Sequence, residues 1–91
     1  MNKLEQLFHP VVEIFVIENV EDEIDPPKVI VDLEVGLMLR VGDVLVFNDK
    51  EAEQPKWVLL LENPEELYDQ SIMLTQRCLV HSKIVFYAKI A

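Results

Sequence analysis

The stretch Val29-Ile30-Val31-Asp32-Leu33-Glu34-Val35-Gly36-Leu37-Met38-Leu39-Arg40-Val41 decides how the rest of the chain is read. Every odd position in it is apolar, whereas the even positions include Asp32, Glu34 and Arg40. An unbroken match to a period of two is the pattern of a strand with one face turned to a core. The run is long for a single strand, and Gly36 interrupts the polar face, so the strand is expected to bulge, curl or divide there. On this reading Asp32 and Glu34 share one face, about 7 Å apart.

Working outward, residues 11–17 are rich in β-branched and aromatic side chains, broken only by Glu13, and read as a strand. Residues 44–47, 57–61 and 83–90 give three more strands, with Gly42-Asp43 supplying a turn and residues 48–55 a polar loop. Asn63-Pro64-Glu65-Glu66 has the make-up of a helix start, with Asn63 as N-cap, Pro64 at the first helical position and Glu66 reaching back to the cap. A helix is therefore expected to run on through Leu67, Ser71, Leu74 and Cys78, ending between Arg77 and Leu79. Residues 2–8 place Leu4, Leu7 and Phe8 at helical spacing behind Asn2, and Pro10 ends that short pattern. No alternation of strand and helix forces a parallel sheet. The expected fold is α+β: a small antiparallel β-sheet or partly closed β-barrel of about five strands, with a helix between the last two strands and a short N-terminal helix. Residues 1–91 make a single small acidic domain.

The chain is 51% hydrophobic with a formal net charge of −9, too apolar for a disordered polyanion, so its acids decorate a folded surface. All seventeen carboxylates precede residue 70; set against the five basic residues there, they leave −12, while Arg77, Lys83 and Lys89 give the remainder +3. Such a split produces a dipolar field whatever the fold. A polyanionic surface argues against direct binding of nucleic acid or anionic membrane. Cys78 is the sole cysteine, which excludes an internal disulfide and fits a reducing compartment. The first residues lack the apolar stretch of a signal peptide and no run is long enough to span a bilayer, so the expected location is cytoplasmic.

Several strands are apolar on both faces, which a sheet wetted on one side would not be. Curling into a barrel, the N-terminal helix, or another chain must cover the second face, and a protein partner or a homo-oligomer is expected. Catalytic signals are weak. Cys78-Leu79-Val80-His81 has C-x-x-H spacing, but a structural zinc wants four ligands, and a small apolar thiol beside a surface imidazole explains it. Asp32 with Glu34, and Glu65 with Glu66, are paired acids that local structure accounts for without a cleft. The only glycines are Gly36 and Gly42, so neither a phosphate-cradling loop nor an EF-hand glycine in the acidic loop is present. Trp57, Tyr68 and Tyr87 read as packing residues rather than a stacking platform. No cofactor, metal, small-molecule substrate or enzymatic activity is expected.

Two functions follow. The first is a non-enzymatic interaction module whose acidic surface binds a basic partner protein, with Glu18, Glu21, Asp22, Glu23 and Asp25 as the partner-binding loop. Carboxylates so spaced can imitate a nucleic acid, as inhibitors such as immunity or phage-encoded proteins do. The alternative is a structural or assembly subunit that associates with copies of itself through apolar strands.

Overall fold

A computed structural model describes residues 10–17, 26–49, 53–62 and 64–91. Among them, six strands form one sheet curved into a half-barrel: β1 (Val11–Val16), β2 (Lys28–Asp32), β3 (Val44–Val46), β4 (Val58–Glu62), β5 (Ser71–Val80) and β6 (Lys83–Ile90). One short helix, α1 (Leu33–Met38), lies between β2 and β3, and Pro64–Glu66 make a single 3-10 turn. The strands run β3-β5-β6-β1-β2-β4 across the sheet.

This mostly β, mixed architecture corrects the antiparallel α+β fold expected from sequence. Strands β4, β2 and β1 form one antiparallel set, and β6, β5 and β3 form another. The two sets join where β1 runs parallel to β6. The parallel pair needs no βαβ unit between the two strands, because the chain passes repeatedly between the halves: from β2 through α1 to β3, back to β4, and across again to β5. The short helix expected at residues 2–8 lies outside the described residues.

The helix expected after Asn63 is replaced by a 3-10 turn and the longest strand of the sheet. Gln70 donates its N–H to the Leu67 carbonyl (3.1 Å), and Asp69 takes φ of 60°, a left-handed conformation that stops helix propagation. From Ser71 the chain alternates, with Ser71 and Met73 half-buried and Ile72 and Leu74 fully buried. β5 then pairs with β6 along nearly its whole length across the two-residue turn His81-Ser82. The gain from a long ladder with a buried face outweighs a favourable cap.

The opening stretch divides, and its middle, Leu33–Met38, is helical rather than extended. Asp32 caps α1, its Oδ1 accepting the Glu34 N–H at 3.1 Å. Leu33, Glu34, Leu37 and Met38 are good helix formers, so the segment carries both periods at once. Gly36 permits the turn to sit on β1: a Cβ there would collide with the Val12 side chain. The Leu39 N–H closes the helix on the Gly36 carbonyl (3.4 Å). Asp32 and Glu34 are therefore a cap and a first-turn residue, not two acids on one strand face.

The core fills the concave side. Val12, Ile14, Val29, Val31, Ile72, Leu74 and Phe86 reach it from the strands, while Phe47 and Leu67 reach it from the segments after β3 and the 3-10 turn. Each such side chain contributes roughly 1.5–3 kcal/mol on burial. Two bulges bend the sheet around this core. Leu59 is the extra residue where β4 meets β2, and Thr75 the extra residue where β5 meets β6, its hydroxyl donating to the Tyr87 carbonyl (3.2 Å).

Candidate interaction surface

The expected partner-binding acids Glu18, Glu21, Asp22, Glu23 and Asp25 lie outside the described residues. Several other acids serve the fold. Asp32 caps α1, and Asp43 closes the turn into β3, its Oδ2 accepting the Arg40 N–H at 2.8 Å while its own N–H donates to the Arg40 carbonyl at 3.0 Å. Glu62 pairs with Lys28 at 3.7 Å. Glu34, Glu53, Glu65, Glu66 and Asp69 stand exposed.

Among the described residues, the large exposed apolar side chains lie on and just after α1 (Leu37, Met38 and Val41) and at the margins of the half-barrel. On β3, Leu45 is buried, whereas Val44 and Val46 are 52% and 60% exposed. Leu74 donates to the Asp43 carbonyl and Phe47 donates to the Gln70 carbonyl, so the residues flanking β3 face β5. Alternation along the ladder then turns the backbone groups of Val44 and Val46 away from β5, toward the side on which no described strand pairs. The loop leaving this edge is fastened by amides: Asn48 donates its backbone N–H to Gln54 Oε1, and Gln54 Nε2 donates to the Asn48 carbonyl. At the other edge, β4 exposes Leu59 and Leu60. Leu79 and Val80, at the end of the β5–β6 hairpin, form a third exposed apolar site.

The convex face is the second apolar side that the sequence required. Curling covers one side only, and on the other Phe15 and Tyr87 approach with ring centroids 6.1 Å apart at 34°. Lys28 Nζ lies 5.6 Å from the Phe15 ring centre. A shallow groove of about 590 Å³ runs beside them, lined by Phe15, Ile17, Pro26, Gln76 and Tyr87. A smaller one of about 250 Å³ has Glu13 in its wall and His81 and Lys83 at the hairpin end.

Cys78, half-buried, sits opposite Val85 on β5, and His81 stands in the exposed turn. Among the described residues, no three His, Cys, Asp or Glu side chains gather as metal ligands do. Trp57 packs against the core, as the sequence suggested, while Tyr87 belongs to the convex face. Among the described residues no helix is long and apolar enough to cross a membrane. Comparison with protein-family models, curated proteins and solved structures finds no match. Sequence reasoning identified an excess of apolar surface but not the edges that carry it, because edge position is a property of topology rather than of any strand's own pattern.

Proposed function

We propose that the chain is a non-enzymatic protein-interaction module that engages its partner through the margins of the half-barrel. The observation that carries this reading is the β3 edge, where two exposed valines flank outward-turned backbone groups. A partner strand added there gains ladder hydrogen bonds together with roughly 1 kcal/mol for each valine it covers. The test compares wild type with Val44→Lys/Val46→Lys in native mass determination and affinity capture. Loss of the captured species in the variant supports the reading, and undiminished capture overturns it.

A second reading, an acidic surface that occupies the basic site of a partner protein, draws support from the exposed carboxylates Glu34, Glu53, Glu65, Glu66 and Asp69. Rising salt separates the two. Electrostatic capture weakens steeply as charges are screened, whereas apolar edge pairing holds.

A further inference from the structure

The β5–β6 hairpin and the β4 edge carry the same spacing with opposite charge. On β5, Arg77 and Leu79 pair with Phe86 and Ile84, so they share one face of the hairpin, two residues apart. On β4, Leu60 and Glu62 pair with Ile30 and Lys28, so they share one face of the edge strand at the same spacing. In each case a leucine and a charge stand about 7 Å apart on a strand. Leu79 is 68% exposed and Leu60 46%. Set face to face and antiparallel, the two strands bring leucine onto leucine and Arg77 onto Glu62. Glu65 and Glu66, exposed just after β4 in the chain, add to the negative charge of that edge.

We propose that the hairpin end of one copy docks on the β4 edge of another, Leu79 against Leu60 and Arg77 against Glu62. This deepens the interaction-module reading by naming the partner as a second copy, and it does not use the β3 edge. Within one chain, β6, β1 and β2 lie between β5 and β4, four ladder spacings of about 4.8 Å, and both sites are exposed. The charge division along the chain favours this partner: the segment after residue 69 carries +3 and the remainder −12, so a copy offers the hairpin its opposite sign. An anionic lipid surface would instead meet a molecule of net charge −9. The two surfaces differ, so the contact is head-to-tail and continues into a ring or filament rather than stopping at a symmetric pair. The tight two-residue turn at His81 and Ser82 holds the hairpin end in one shape, which lowers the ordering cost of docking.

The experiment is sedimentation velocity of the full chain across the micromolar range, at low and high salt, for wild type, Arg77→Glu, Glu62→Arg and an equal mixture of the two variants. Circular dichroism of each variant checks that it is folded. Wild type is expected to form concentration-dependent species larger than a dimer that dissociate as salt rises. Each reversal alone weakens association about tenfold or more by placing like charges together, and the mixture restores it. Restoration cannot come from misfolded chains. A monomer at every concentration, or an assembly indifferent to both reversals, overturns the proposal. A monomeric wild type that still captures another protein through Val44 and Val46 overturns self-docking alone. Loss of that capture as well would remove the interaction-module reading.

Discussion

Gly36 of α1 rests on Val12 of β1 with no room between them for a side chain. Val12 is fully buried and paired with Val31 of β2, in a strand that runs between β2 and β6, so it cannot step aside. Gly36→Ala is therefore expected to destabilise the fold by about 1–3 kcal/mol through overpacking. Gly42→Ala is the contrast: φ there is 98°, but nothing lies within 4 Å of an added Cβ. Its cost is conformational, about 1 kcal/mol. Urea denaturation of both variants measures the difference, and a Gly36→Ala chain no weaker than Gly42→Ala would mean that α1 is not seated on β1.

Lys28 is shared between Glu62, 3.7 Å away, and the Phe15 ring, 5.6 Å from its centre. The ion pair is half-open to water, so Glu62→Gln is expected to cost under about 1 kcal/mol, with the loss fading near about 1 M salt. Lys28→Ala also strips the aliphatic stem from the convex face and removes the cation from Phe15, so it costs more and keeps most of its effect in salt. Equal losses for the two variants at high salt would show that the aromatic contact contributes nothing.

Strands β1, β3, β4 and β6 fall where short apolar runs bounded by turn signals place them, and β2 falls at the start of the alternating stretch. Two segments did not read correctly, for different reasons. Leu33–Met38 satisfies the strand period and the helix propensities together, and the deciding contact, Gly36 on Val12, is tertiary. Ser71–Val80 follows a convincing helix cap, and its hairpin turn, His81-Ser82, lacks the Asn-Gly or Asp-Gly that marks such turns. The candidate surface was legible as a surplus of apolar residues and a split in charge. Its location was not, since β3 and β4 become edges only through the crossing between the two halves of the sheet.

Among the described residues, Leu67 is the one fully buried side chain supplied by the connection between β4 and β5. It lies just past the 3-10 turn, where the Gln70 N–H closes back on its carbonyl, so it fastens this connection to the core. Leu67→Ala is expected to cost about 2–4 kcal/mol, a core cavity rather than a loop effect. Neutralising the exposed neighbours with Glu65→Gln/Glu66→Gln should stay within about 0.5 kcal/mol. Thermal unfolding of the two variants decides the point, and a small loss for Leu67→Ala would place Leu67 outside the core.

The β5–β6 turn holds His81 at φ 51° and Ser82 at φ 66°. Two central residues in the left-handed region are what a type I′ hairpin turn requires, and His-Ser is not one of the Asn-Gly, Asp-Gly or Gly-Gly pairs that favour it. Each non-glycine residue there costs roughly 1 kcal/mol, an expense borne by the ladder that Val80 and Lys83 close. His81→Asn/Ser82→Gly supplies the residues the geometry favours and is expected to stabilise the fold by about 1–2 kcal/mol. Ser82→Val is expected to act in the opposite sense, because a β-branched residue resists positive φ. Guanidinium denaturation should raise the midpoint for the first variant and lower it for the second, with unchanged slopes. A fall in both would mean that His81 or Ser82 makes a contact worth more than the strain it bears.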